Sequence, residues 1–527
     1  MAGRTGEFLN VGGPGPARPW LGPALVALAA FALHAAAWDR YGIFRDELYF
    51  ISCGERLAWG YVDQPPLIAA MARIAHDAFG LWVPGLRLLP WIASALTAWA
   101  TGMLALALGA GAAGATLAAL GVLASPVLLS LGHYLTMNAF EPLLFVLLAW
   151  TLVRLAQGGS PRLWLAAGGL VGIGLLFKYS MGLYAATLGA GMVLTASGRR
   201  ALATRWTLAG AAVAAALVYP NVKWQADHGF PFLELLRNGR LRKNAPFTLG
   251  GFTAAQFTEM NPANAILWIP GLAALLLWRP LRPVRFVGVG FLLLFVAQVA
   301  SEAKPYYLAP AFPALLAAGA AALAASLRHG PFPALLRERA PWLLVVPALA
   351  LLAILRIAAP IALPLLPVER FVEHQASLGM AAAPTERHRM GVLPQIYADQ
   401  HGWVEMARAV HEAWMKLPPA ERDRAFVYGQ NYGEASAVEL LGKALGVPPV
   451  ASGHNSWFLW GWPPGRDVAL VISDEKETCS GFASRELLVK VAPDPLAMPY
   501  ESGRWIWACR APTRPVAEIW AAARNYI

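Results

Sequence analysis

Residues 285–328 read RFVGVGFLLLFVAQVASEAKPYYLAPAFPALLAAGAAALAASLR. Two apolar runs flank one polar island, Ser301 to Tyr307, and Arg stands at both outer ends. A helix that crosses a bilayer needs about 20 mostly apolar residues. Each run approaches that length, and the polar island between them is a turn at a membrane surface. The same ruler finds eleven candidate spans in the whole chain: 20–38, 86–108, 113–131, 139–156, 162–177, 180–197, 206–220, 263–279, 285–300, 306–326 and 341–362. The expected fold class is a polytopic α-helical membrane protein with a smaller extracytoplasmic α/β or α+β domain at its carboxyl end.

Composition agrees. Of 527 residues, 57% are hydrophobic and only 14% charged, against about 25% charged in a soluble domain. An ordinary soluble enzyme, a disordered chain and a coiled coil are excluded. Three cysteines exclude a disulfide scaffold and a Cys-rich zinc site. No cleavable signal peptide is evident. The net charge of +11 divides unevenly: 26 basic and 13 acidic residues before position 367, 16 and 18 after it. The excess belongs to the membrane part and does not indicate nucleic acid.

Lys and Arg in short loops set orientation. With a cytoplasmic amino terminus, the inside loops carry Arg4 and Arg18, Arg154 and Arg162, Arg199, Arg200 and Arg205, Arg279, Arg282 and Arg285, then Arg328, Arg337 and Arg339. An odd number of spans then puts residues 368–527 outside. The expected domains are a tail, 1–19, a membrane domain, 20–367, with outside loops 39–85 and 221–262, and an outside domain, 368–527. In that last domain 401–416 and 434–445 read as helices, and 427–428, 467–473 and 505–510 as strands. Cys479 and Cys509 fall on the oxidising side, either as a disulfide or as two thiols.

The candidate chemistry gathers in polar islands on the outside face. The first reads Phe44-Arg-Asp-Glu-Leu-Tyr49, then Tyr61-Val-Asp-Gln-Pro-Pro66. Adjacent carboxylates on a helix point different ways, so one of Asp46 and Glu47 can face a reaction site while the other orients a helix or a metal. The plainer reading makes both a helix cap. A second island, Thr136-Met-Asn-Ala-Phe-Glu-Pro142, puts Asn138 and Glu141 on one helical face, either as a capping box or as functional groups at membrane depth. Lys178, Lys304, Arg237, Arg240 and Lys243 are cations on the same expected face. They either snorkel or converge on phosphate. Carboxylates with convergent cations at a membrane fit group transfer from a phosphorylated lipid. No nucleotide-phosphate loop or Asp-x-Asp is present, which favours a lipid-linked donor.

These strings, with Lys304-Pro-Tyr-Tyr-Leu-Ala-Pro310, Asn431-Tyr-Gly-Glu-Ala435 and Ser452-Gly-His-Asn-Ser456, resemble the membrane-embedded GT-C glycosyltransferases, in particular the bacterial family 39-like branch of protein mannosyltransferases and aminoarabinose transferases. The resemblance spans nearly the whole chain. It implies a polyprenyl-phosphate sugar donor, an inverting hexosyl or pentosyl transfer on the periplasmic face of the bacterial inner membrane, and an acceptor it does not specify. Carried over, Asp46 is the base with Glu47 beside it, and Asp63 and Glu141 hold a divalent metal or share a proton network. From the residues themselves, Arg45, Gln64, Asn138, Lys178, Arg237, Arg240, Lys243, Lys304, Tyr306 and Tyr307 are candidate substrate contacts, and His454, set among aromatics, either reads sugar or acceptor or is a satisfied His of a structured turn. One departure counts against aminoarabinose and lipid A as substrates: the aminoarabinose branch has Lys before its Pro-Pro pair, where this chain has Gln64. The rival class is a transporter or flippase of lipid-linked sugars. Acids confined to one face and the absence of matching halves weigh against it.

Overall fold

The computed structural model describes residues 18–38, 40–329, 340–380, 386–473 and 478–527. The expected tail with Arg4, and Arg337 and Arg339, lie outside them. The chain forms two compact units. One comprises 1–38, 87–220 and 247–365; the other, 39–86, 221–246 and 366–527. The expected membrane and outside domains are thus not divided at one point along the chain. Most of the two stretches read as loops of the membrane domain folds with the carboxyl-terminal segment.

The first unit is helical. Every one of the eleven apolar stretches contains a helix, but their lengths differ. Val83–Ala107, Met137–Ala156, Pro305–Arg328 and Val345–Ala362 are long and apolar enough to cross a membrane singly. Two bent pairs, Ala196–Leu202 with Arg205–Asp227 and Leu249–Thr258 with Pro262–Leu277, reach that length together. Leu21–Ala35, Gly111–Leu123, Leu163–Phe177, Ser180–Leu194 and Phe286–Ala300 are shorter apolar helices. Among the described residues the length-and-composition count is therefore four, or six with each bent pair taken as one.

Glycine sets how closely these helices pack. A Cβ at Gly319 would overlap the backbone oxygen of Leu267, and one at Gly271 that of Leu315. The helices Ala265–Leu277 and Phe312–His329 therefore touch backbone to backbone. Large apolar side chains point outward, with Leu208 76% and Leu277 78% exposed. In water such a surface would aggregate; in a bilayer it faces hydrocarbon.

The second unit is built on a five-stranded mixed sheet. Its strands are β1 Ala425–Tyr428, β2 Val450–Ala451, β3 Val468–Ser473, β4 Phe482–Lys490 and β5 Trp505–Pro512, in the order β2-β1-β3-β5-β4. β1 runs parallel to β2 and β3, and β5 antiparallel to β3 and β4. The three expected strands and the helices Trp403–Lys416 and Tyr432–Leu441 are present. The sequence reading missed β2, which is two residues long, and β4, whose residues are mostly exposed. Cys479 and Cys509 form a disulfide across 30 residues, with Cα atoms 5.6 Å apart. Helices Arg45–Glu55 and Leu67–Phe79 from the first polar island pack on each other and, through Arg45–Glu55, against Tyr432–Leu441.

Candidate functional site

In the second unit the chain enters helix Arg45–Glu55 from an extended Phe44, φ −71° and ψ 141°. The Phe44 N–H, one of the donors a helix start leaves without a partner, donates to Glu47 Oε2 at 2.9 Å. Glu47 is fully buried. Glu47 takes the helix-orienting place left open for one of the two acids: it ties down its own helix start. One residue earlier means about 100° round the helix, and Asp46 faces elsewhere. Its side chain is 31% exposed. The Tyr432 hydroxyl donates to Asp46 Oδ1 at 2.8 Å, and Arg45 Nε lies 3.6 Å from the same oxygen. Asp46 Oδ2 has no hydrogen bond among the described residues.

Arg45 is an internal strut. Only 10% of its side chain is exposed. Its Nη1 donates to the Tyr500 hydroxyl at 2.5 Å, its Nη2 lies 3.3 Å from Asp399 Oδ2, and its guanidinium stands 5.3 Å over the Tyr432 ring. Asp399 is buried, and burial pushes its carboxyl up to about 7 against the pull of Arg45.

Asp63 accepts from the Tyr49 hydroxyl at 2.8 Å and from Asn455 Nδ2 at 3.2 Å. Burial raises its carboxyl to about 6, and the Tyr49 bond opposes that rise. The Tyr49 oxygen accepts from the Ser456 N–H at 3.2 Å, and Val62 N–H donates to Ser456 Oγ at 3.0 Å. The Tyr49 and Tyr432 rings lie 4.6 Å apart. Four of the strings quoted from the sequence, in the 40s, 60s, 430s and 450s, therefore meet in one network.

Two further candidate contacts lie in this unit. Gln64 is completely buried, its Nε2 3.4 Å from Cys53 Sγ, and its Oε1 is buried without a hydrogen-bond partner. His454 accepts the Tyr432 N–H at Nδ1, 3.2 Å, and its Nε2 lies 3.1 Å from the Ile527 oxygen. These partners assign the neutral ring with the proton on Nε2, and burial lowers its basicity to about 3. His454 is thus the satisfied ring of a structured turn, and it seats Tyr432. Of the expected phosphate cations, Arg237 and Arg240 are exposed on Pro231–Asn238 and the π turn Gly239–Lys243, and Lys243 Nζ lies 3.7 Å from Glu386.

The first unit holds the other carboxylate. Glu141 opens helix Glu141–Ala156 and is only 3% exposed. Lys178 Nζ lies 2.9 Å from its Oε2 and donates to Asn138 Oδ1 at 2.8 Å, while the Ser180 hydroxyl donates to Oε1. Lys178 also stands 4.4 Å over the Tyr307 ring and 6.0 Å from the centre of Tyr306. The capping-box reading of Asn138 is corrected: it lies in the 3-10 turn Met137–Ala139, and its side chain accepts from Lys178. Lys178 does not snorkel. Lys304 precedes the turn Pro305–Ala311, which carries both tyrosines.

Each oxygen of Glu141, and each of Asp63, accepts from a protein N–H or O–H. An ionised carboxylate oxygen carries two lone pairs, so each keeps one for a further partner, and no chemistry below runs through a metal. Glu55, His76 and Asp77 have ligand atoms within 4.8 Å of one another, but Arg73 Nε is 2.6 Å from Asp77 and its Nη1 3.5 Å from Glu55.

The sequence reading missed Tyr432, Tyr49, Asp399, Tyr500, Asn455 and Ser180. Tyr49, Tyr432 and Asn455 lie inside quoted strings. Asp399 and Tyr500 carried no local signal.

Residues 63–224 match the family model for dolichyl-phosphate-mannose-protein mannosyltransferase. No curated protein sequence matches the chain. Among solved structures, ArnT from Cupriavidus metallidurans, bound to undecaprenyl phosphate, is 16% identical. It superposes with a TM-score of 0.57 over 93% of this chain and 98% of that one. The oligosaccharyltransferase of Archaeoglobus fulgidus, tethered to an acceptor peptide, gives 0.51 at 12% identity over 81% and 63%. The mycobacterial arabinofuranosyltransferase AftD gives 0.52 at 16% identity over 95% and 40%. The fold is that of the GT-C membrane glycosyltransferases, as the sequence strings implied.

Proposed function

We propose that this GT-C fold transfers a hexose or pentose from a polyprenyl-phosphate donor to an acceptor hydroxyl on the periplasmic face, with inversion at the anomeric carbon. The observation that carries the reading is the asymmetric setting of Asp46. One oxygen is fixed by Tyr432 and Arg45, and the other is open on a partly exposed side chain. That is what a general base needs: a fixed orientation and one oxygen able to take a proton. The acceptor O–H gives its proton to Asp46 Oδ2, and the acceptor oxygen bonds to the anomeric carbon. The bond from that carbon to the phosphate oxygen breaks, and its electron pair leaves with polyprenyl phosphate. Tyr432 is a positioning residue, and His454 and Arg45 hold it. Exposed Arg237 and Arg240 are the cations we assign to the leaving phosphate.

Four observations support the donor class and the side. The ArnT structure holds undecaprenyl phosphate, and the family model is named for a polyprenyl-type donor. The Cys479–Cys509 disulfide fits an oxidising compartment. A crevice of about 190 Å³ in the first unit, lined by Leu148, Leu152, Trp164 and Met192 among others, offers an apolar wall for part of a prenyl tail. Mannose and arabinofuranose both occur in the names of the similar proteins, so the sugar is left at hexose or pentose.

The test is Asp46→Asn in membrane vesicles supplied with a radiolabelled polyprenyl-phosphate sugar and periplasmic acceptor extract. Transfer should fall by at least ~100-fold, the low end for loss of a general base. Full transfer by a correctly inserted variant rejects the assignment.

A further inference from the structure

Helix Ser180–Leu194 has 15 residues, so its two ends are about 21 Å apart. Ser180, at the first end, bonds Glu141. At the other end lies a cavity of about 560 Å³ lined by Arg200, Arg279, Arg282 and Arg285, with Thr195 and Ser197 among the remaining residues. No acidic residue lines it. Helix Phe286–Ala300 runs antiparallel alongside: Gly191 abuts the Phe286 oxygen, and Gly290 packs on Leu188. The cavity therefore sits at the opposite end of this helix pair from the Glu141–Lys178 cluster.

Basic loops at one end of a membrane bundle are expected from topology alone. That rule accounts for the presence of arginine but not for its arrangement. Elsewhere in these loops arginines are engaged. Arg328 donates to the Ala110 oxygen at 2.9 Å, Arg199 donates to that of Val193 at 3.0 Å, and Arg162 and Arg205 stand 5.6 and 5.7 Å over the Trp206 ring. The four cavity arginines have no side-chain hydrogen bond, ion pair or ring partner among the described residues. Arg285 Nε is buried with no acceptor, an arrangement that costs free energy unless something completes it. A cavity of about 560 Å³ is roughly 10 Å across, comparable to the Debye length, so salt screens the four charges from one another only in part.

We propose that this cavity is a binding site for a phosphate-bearing anion with at least two negative charges. Guanidinium forks pair with phosphate oxygens two at a time, and the Ser197 hydroxyl adds a neutral donor. Basic pockets between membrane helices take anionic headgroups in this way. The phosphate can be that of a lipid headgroup or of a soluble diphosphate. Nothing in the proposal depends on the transfer chemistry at Asp46.

The experiment uses the full chain in phosphatidylcholine nanodiscs, with thermal unfolding and native mass spectrometry as readouts. Three additions are compared: cardiolipin in the bilayer, inorganic pyrophosphate in solution, and oleate in the bilayer as an anion without phosphate. Cardiolipin or pyrophosphate should raise the unfolding temperature by several degrees and remain bound in the mass spectrum, whereas oleate should do neither. A response to cardiolipin alone identifies the lipid source, and one to pyrophosphate the soluble source. R282Q/R285Q should abolish the shift while keeping transfer activity, and R282K/R285K should keep part of it. An equal response to oleate, no response to either phosphate compound, or an unchanged response in R282Q/R285Q overturns the proposal. The wild-type mass spectra decide the matter even where a variant fails to fold.

Discussion

Asp46 and Glu141 are both carboxylates beside a cation and a hydroxyl, yet their surroundings leave them opposite tasks. Asp46 has one oxygen held, by Tyr432 and at longer range by Arg45, and its side chain stays 31% exposed. Glu141 has both oxygens taken, is 3% exposed, and is neutralised by Lys178 at 2.9 Å. A carboxylate poised to receive a proton must keep an oxygen accessible. One that supports a helix start at membrane depth must not. Residue type and nearby charge do not separate the two; the count of engaged oxygens does.

The comparison can be broken in several ways. Loss of at least ~100-fold in transfer on Asp46→Asn, with unfolding temperature unchanged, is the largest effect expected, and it belongs to the first carboxylate alone. Lys178→Ala should act chiefly on stability. Stranding a buried Glu141 costs about 3–5 kcal/mol, read as a lower midpoint in detergent unfolding, and Lys178→Met with Glu141→Leu should recover most of it. A double variant no more stable than Lys178→Ala would show that Glu141 does more than close an ion pair. Cys479→Ser with Cys509→Ser should lower the stability of the sheet unit by about 3–4 kcal/mol, the chain-entropy value for a 30-residue loop, measured by denaturant unfolding with and without reductant. Tyr432→Phe removes the hydroxyl that fixes Asp46. About a tenfold loss in kcat, roughly the worth of one hydrogen bond to a charged group, with KM little changed, is the signature of positioning.

The gentlest effect is on pH dependence. The buried Asp399 carboxyl is raised from 3.8 to about 7. The folded unit holds that proton where the unfolded chain has released it, so stability falls as pH rises through this window, and Asp399→Asn should flatten the slope. A stability that instead rises from mild acid to neutrality in the wild type, and keeps its slope in the variant, would rule out this account of Asp399.

What could be read in the sequence follows from what is local. The helical membrane fold was legible because a bilayer imposes a minimum apolar length that no other environment demands. Asp46 stood out as a candidate because a dense polar island directly follows an apolar run. Which of Asp46 and Glu47 turns outward was not, since it depends on the helix beginning at Arg45 and on the Phe44 N–H needing an acceptor. The tyrosine that sets Asp46 is 386 residues away, beyond any spacing rule. Gln64 and His454 stood out as candidate ligands because they lie in strings that resemble the GT-C branch. Both are spent on the interior, against Cys53 and Tyr432. β4 escaped notice because its exposed, charged residues lack the alternation that marks a half-buried strand.

The second unit draws on three separated segments, 39–86, 221–246 and 366–527. During biosynthesis Asp46 leaves the ribosome early, while Tyr432, Asp399 and Tyr500 arrive only with the last segment. A nascent chain therefore carries the acid long before it carries the groups that aim it. The setting of this carboxylate is completed only at the close of translation, and a chain cut short before residue 432 would carry its apolar helices and Asp46 without the hydroxyl that orients it.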